Sequence, residues 1–159
     1  MPQLFLLFVL LTPSPALADG AGVWTIVDVP ALDEERTGPP PTSAAFVTTS
    51  SGIQIAQLTH CANPRPQSGQ TVEVHYDLWV GHGIGPVVDS SYVRGRPFTY
   101  KYAVGHVIKG FDEAIGTMSP GCKIRVIIPP ALGYGVPGRP RTIPPNTDLV
   151  FDIEMLSIK

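Results

Sequence analysis

The side chains able to do covalent or metal chemistry are few, and they are spread along the chain. The four histidines, His60, His75, His82 and His106, are far apart and fall among turn residues or on the polar side of an alternating segment. Such spacing suits neither a metal site nor a nucleophile with its base, so exposed or hydrogen-bonded imidazoles are the plainer reading. There is no GxSxG elbow, no phosphate-cradling glycine loop and no HExxH helix. The carboxylates form no evident acid–base pair. What remains is aromatic and apolar: Tyr76, Phe98, Val107, Ile108, Phe111, Tyr134, Ile143 and Phe151. Each alone reads as core. Together they come from different elements and suit the open side of a sheet packed on a helix.

Those elements can be read from periodicity. Ile108, Phe111, Ile115 and Met118 recur at helical spacing, which predicts a short helix over Lys109 to Met118, stopped by Ser119-Pro120-Gly121. It is too short to be stable alone in water. Strands are read at Phe46 to Thr49, Ile53 to Leu58, Thr71 to Val80, Pro97 to Tyr102, Lys123 to Ile128 and Leu149 to Ile158. The Thr71 segment alternates cleanly, with Val72, Val74, Tyr76, Leu78 and Val80 on one face and Glu73, His75, Asp77 and Trp79 on the other. Ala131 to Asn146 is a long loop rich in glycine and proline. Connections are too short for repeated parallel crossovers. The expected class is α+β: an antiparallel, twisted sheet of about five to six strands wrapped around one short α-helix.

Composition narrows the function further. A chain of 159 residues is one domain's length, 43% apolar and only 15% charged, with a net charge of -2. That argues against a nucleic-acid partner, which favours a basic patch. Residues 1–18 read as an export leader: Gln3 to Leu11 is apolar, and Ala16-Leu17-Ala18 gives a cleavage pattern before Asp19. The run is too short to span a bilayer, so no membrane insertion is expected once the leader is removed. No Lys or Arg precedes it; either the start lies upstream or the amino terminus supplies the charge. Residues 19–44 read as an extension, with Val23 to Val29 as a short extra strand or surface segment and Gly38-Pro39-Pro40-Pro41 as a solvated, polyproline-like linker. The folded domain is placed at 45–159. Cys61 and Cys122 are the only cysteines; in an exported protein they form a bridge or remain two buried thiols.

One further pattern joins these pieces. Val74-His75-Tyr76, Asp89-Ser90-Ser91, Arg94, Pro97-Phe98, Val107-Ile108-Lys109-Gly110-Phe111, Tyr134-Gly135, Ile143-Pro144-Pro145-Asn146 and Leu149-Val150-Phe151-Asp152 follow one another in this order. The chain thereby resembles the FKBP family of peptidyl-prolyl cis-trans isomerases, the macrolide-binding immunophilins, over Gly52 to Lys159. The resemblance implies a non-covalent isomerase of X–Pro bonds with no cofactor and no metal, acting as a monomer on proline-containing proteins and open to macrolide inhibitors. It implies a pocket of Tyr76, Phe98, Val107, Ile108 and Tyr134, with Phe111 as the floor where a tryptophan is usual. Phe151 belongs to the wall, Ile143 to the loop over the site, and Asp89 is the pocket carboxylate paired with Arg94. The Ile108 N–H and the Tyr134 hydroxyl are implied as donors to a bound carbonyl.

Some positions depart from the family pattern. Val88 replaces an aromatic, Arg139 a histidine and Thr142 an isoleucine, and the stretch from Tyr76 to Asp89 is longer by about two residues. The lost apolar wall leads us to expect weaker macrolide binding and slower isomerisation than in a fully matching member, burial being worth about 25 cal/mol per Å². The alternative is a non-catalytic module that holds a proline-bearing partner during assembly. In the implied fold the strand before Cys61 pairs antiparallel with the strand after Cys122, which makes a Cys61–Cys122 disulfide sterically plausible. The leader resembles that of thylakoid-lumen members of algae and plants; the periplasm and the secretory pathway are the other compartments it fits.

Overall fold

The computed structural model describes residues 38–159 apart from Asn63 and Ile84. The leader, the Val23 to Val29 segment and the rest of the extension to residue 37 lie outside the described residues. The strands are β1 (Phe46–Thr48), β2 (Gln54–Gln57), β3 (Thr71–Val80), β4 (Asp89–Ser90), β5 (Phe98–Lys101), β6 (Lys123–Ile128) and β7 (Leu149–Ile158), and the helix α1 is Lys109–Ile115. They form one antiparallel sheet of seven strands in the order β1-β2-β6-β7-β3-β4, with β5 also on β3. The strand beyond the expected six is β4. Two residues carry no periodicity to read.

The long β3 organises the sheet. One edge pairs with β7 along its length, while the other takes β5 at Thr71 to Val74 and β4 at Asp77 and Leu78. Its alternation points Val72, Val74, Tyr76 and Leu78 inward. Opposite them on β7 stand Met155, Ile153 and Phe151, and beyond those Ile124 and Val126 of β6. The helix closes this face with Phe111, Ala114 and Ile115. Burying one such large apolar side chain is worth about 1.5–3 kcal/mol, and that burial, not helix propensity, holds a seven-residue helix in place. Two polar ties fix its angle. Asp112 accepts from the Tyr100 hydroxyl (3.0 Å) and the Ala103 N–H (3.3 Å). Glu113 accepts from Thr49 Oγ1 (2.8 Å) and Ser51 Oγ (2.7 Å).

Two local expectations need correction. The helix stops at Ile115, not at Met118. Gly116 follows, and a Cβ there would run into the Tyr102 hydroxyl. Glycine weakens a helix, and the chain leaves it by tight turns from Thr117 N–H to the Ala114 carbonyl and from Met118 N–H to the Ile115 carbonyl. Met118 is nonetheless fully buried, as its spacing implies. Trp79 is the second case. It lies on the outward side of β3 with Glu73, His75 and Asp77, yet it is buried.

Cys61 and Cys122 form a disulfide with a Cα–Cα distance of 5.0 Å. It joins the loop after β2 to the residue before β6. The Lys123 carbonyl accepts from the Leu58 and Thr59 N–H groups beside it.

Candidate active site

Over the N-terminal end of α1 lies a cavity of about 530 Å³. All ten residues named as pocket members border it: Tyr76, Asp89, Arg94, Phe98, Val107, Ile108, Phe111, Tyr134, Ile143 and Phe151. They come from β3, β4, β5, α1, β7 and the loops between, so the sheet's curvature brings together residues up to 75 positions apart in sequence. Phe111 borders the cavity and is buried. Its ring centroid is 5.9 Å from Tyr76, 6.4 Å from Phe98 and 5.2 Å from Phe151, each edge-on. Edge-on rings pack well while leaving an aromatic face or edge for a ligand.

The polar part is a three-residue cluster on one wall. The Tyr76 hydroxyl donates to Asp89 Oδ2 (2.7 Å), Arg94 Nη2 donates to Tyr76 Oη (2.9 Å), and Arg94 Nη1 pairs with Asp89 Oδ1. Burial first, then the hydrogen bond to Asp89, pushes the Tyr76 phenol up to about 12. It is therefore a protonated donor throughout the working range. Because this value is raised, any stability it contributes is fully present below the ordinary 10.0 and is lost as pH climbs through about 12. The backbone at Tyr76 is itself clamped. Its N–H donates to Ser91 Oγ (2.7 Å), and its carbonyl accepts the Ser91 N–H (2.9 Å).

Ile108 is the N-cap of α1. Its carbonyl accepts from the Phe111 and Asp112 N–H groups. Ile143 is held over the cavity by a small antiparallel bridge, in which Arg139 and Ile143 exchange N–H···O=C bonds of 2.8 and 2.9 Å. Gly138 makes that turn possible: its φ is +61°, and a Cβ would meet the Ile143 and Pro144 carbonyls. The Arg139 guanidinium lies 6.0 Å over the Tyr134 ring. Val88, Arg139 and Thr142, the departures from the family pattern, all border the cavity. So do Leu78 and His106, which sequence reasoning left out. Leu78 could have been found from its two-residue offset to Tyr76 on an inward face. His106 carried no signal beyond adjacency to Val107. His75, by contrast, stacks on Tyr92 on the outer face at 4.3 Å.

A sheet of this connectivity wrapped over one short helix is an FKBP-like fold. It is similar to the crystal structure of AtFKBP13 (TM-score 0.66, 35% identity, covering 72% of this chain and 99% of that one). It is also similar to FkpA from Escherichia coli (TM-score 0.65, 36% identity, 72% and 51%). Residues 63–156 match the family described as FKBP-type peptidyl-prolyl cis-trans isomerase. Among curated relatives, peptidyl-prolyl cis-trans isomerase FPR2 of Saccharomyces cerevisiae is 45% identical over 91 residues, covering 57% of this chain and 67% of that protein. Peptidyl-prolyl cis-trans isomerase Fkbp12 of Drosophila melanogaster is 39% identical over 109 residues, covering 68% and 99%. The chain belongs to the FKBP-type peptidyl-prolyl cis-trans isomerase family, and isomerisation of prolyl peptide bonds is its activity.

Proposed function

We propose that the cavity over α1 binds the proline of an X–Pro segment and that the residues bordering it carry the isomerisation. The observation that supports this most is the meeting of Tyr76, Phe98, Phe111 and Phe151 around one hollow of about 530 Å³. An X–Pro bond turns slowly because amide resonance sets a barrier of about 18–20 kcal/mol. In the twisted form that resonance is lost and the carbonyl is less polar. A dry aromatic hollow favours that form over the planar one. A gain of about 10⁴ to 10⁵ in rate needs only about 5–7 kcal/mol. Phe111 supplies the floor, Phe98 and Phe151 the walls, and Val107 and Ile143 the rim against the residues flanking proline. The Ile108 N–H and the Tyr134 hydroxyl hold the substrate carbonyl. Tyr76 and Arg94 orient Asp89, which acts through its field and not as a base. Macrolides named for relatives as FK506 fit the same hollow. Acceleration of cis–trans exchange in a short proline peptide, measured with the purified chain, tests this reading; no acceleration would leave only a binding module.

Two substitutions probe the wall. Asp89→Ala is expected to lower kcat/KM about tenfold, or 1.4 kcal/mol in barrier. Thermal stability should hardly change, because the ion pair is more than a third exposed on both sides (38% and 34%) and such pairs contribute about 0–1 kcal/mol. A fall in melting temperature that accounts for the lost activity would instead make Asp89 a structural clamp. Val88→Phe adds apolar wall beside Asp89. It is expected to raise both activity and macrolide affinity a few-fold, at about 25 cal/mol per Å² buried; a titration and an activity assay on the same variant check it.

For location, the apolar leader and the disulfide together support export to an oxidising compartment, and the thylakoid lumen is the specific proposal. Recovery of the mature protein from isolated thylakoid lumen with Asp19 as its first residue would support it; recovery only from another compartment would end it.

A further inference from the structure

The outward face of the sheet, opposite the cavity, has three features that isomerisation does not use. Arg125 on β6 is buried, and only two of its donors go to a carboxylate: Nε and Nη2 meet Asp152 at 2.6 and 2.7 Å. Its Nη1 donates instead to the backbone carbonyl of Pro40 at 2.6 Å. Trp79 is buried on the same face, and its indole N–H has no hydrogen-bond partner among the described residues. Gly83, in the turn after β3, leaves a notch that the Pro39 ring enters: a Cβ on Gly83 would strike Pro39 Cδ and Cγ at 2.8 and 3.1 Å and meet Val150 Cγ2 at 3.8 Å. Val150 is the register partner of Trp79. Gly38 is buried with φ +103°, and a Cβ there would run into the Gly83 carbonyl.

This is how proline-rich segments are read elsewhere in proteins. A run of prolines is stiff, loses little entropy on docking and offers carbonyls with no N–H of their own. A receptor needs a notch for a ring and a donor for a carbonyl, beside apolar or aromatic surface. The Gly83 notch, the Arg125 fork and Trp79 supply those parts. We infer that the outward sheet face is a second proline-docking site, which takes a glycine-led proline run and is filled in cis by Gly38-Pro39-Pro40-Pro41. The cis segment does not cover the whole face. Beside Pro40 a hollow of about 450 Å³ continues, walled by Tyr92 and bordered by three carboxylates. Asp152 is paired with Arg125 and Glu154 with Lys123, which leaves Asp77 with no salt bridge among the described residues. A partner segment with Lys or Arg next to its prolines gains contacts there that the chain's own Thr42-Ser43 does not make. Such a partner can displace the strap. The site is independent of the isomerase cavity.

The test uses the full chain with the strap loosened by Gly38→Val, which adds a Cβ where none fits and leaves the sheet untouched. P39S/P40S/P41S serves as a second variant should the first fail to fold. Both are expected to keep isomerase activity. The probes are the peptides GPPPRRA and GPPPEEA, followed by NMR at the Trp79 indole N–H and the Arg125 Nε–H. In the loosened variants GPPPRRA is expected to shift both signals saturably, about fivefold tighter than GPPPEEA at low salt, with the difference shrinking as salt is raised. In the unaltered chain its apparent affinity is expected to be about tenfold weaker or less, because the tethered copy competes at high effective concentration. No shift at either signal, shifts confined to Phe111 and Tyr134, or equal affinity for the two probes would each overturn the inference.

Discussion

Truncation of Phe111 to alanine is expected to damage stability and catalysis together. The side chain is 3% exposed and touches the rings of Tyr76, Phe98, Tyr100 and Phe151 at 5.2 to 6.4 Å between centroids. Its loss removes transfer energy and leaves a void that these neighbours, pinned to three different strands, cannot close. Such Phe→Ala changes cost about 3–5 kcal/mol. Chemical denaturation should show the midpoint falling with the slope unchanged. In the proposed binding mode the same void opens beneath the proline ring, so kcat/KM is expected to drop about 30- to 100-fold, or 2–3 kcal/mol in barrier. Phe111→Leu separates the two effects. It fills most of the space at a cost of about 1 kcal/mol and keeps the protein folded. Without an aromatic floor it should still lose about tenfold in kcat/KM. A folded Phe111→Leu chain with full activity would remove Phe111 from the mechanism.

Loss of the disulfide is expected to lower stability about as much while sparing the chemistry. Cys61 and Cys122 are 61 positions apart, and closing a loop of that length contributes roughly 4 kcal/mol by restricting the unfolded chain. In a domain of this size about 1 kcal/mol moves the melting temperature by roughly 3–4 °C, so C61S/C122S should melt about 12–16 °C lower. Neither cysteine borders the cavity. At 15 °C, where both forms remain folded, kcat/KM should therefore match that of the oxidised chain. Reductant added to the unaltered chain should reproduce the double substitution. A melting temperature unchanged by either treatment would show that the bridge adds nothing to the fold, and an activity lost at full folding would tie it to the cavity.

Most of the fold was legible because its signals are local. The alternation in Thr71 to Val80 and in Leu149 to Ile158 fixes which side chains face inward, and one misplaced residue would turn the whole row outward. The helical spacing from Phe111 to Met118 fixes a buried stripe in the same way. The family resemblance then supplied the site residues as a set, since no single spacing among them marks a pocket. What stayed unread was short or cooperative. β4 has two residues, too few for any period, and exists because β3 offers it an edge beside β5. The helix ends early because Gly116 lets Tyr102 approach, a contact between residues 14 positions apart. Alternation puts Trp79 toward water, and its burial is invisible to any rule that looks only along β3.

The amino-acid order thus determined the class of fold, and through the family resemblance it named ten residues that border the cavity. Tertiary structure alone decided that Tyr76, Arg94 and Asp89 form one cluster, that Leu78 and His106 join the lining, and that a run of prolines with the composition of a free linker lies against Arg125. The reason is physical. Periodicity records which side of an element avoids water, whereas a hollow or a docked strap depends on where several elements stop approaching one another, and that distance is set by the packing of the whole sheet on its helix.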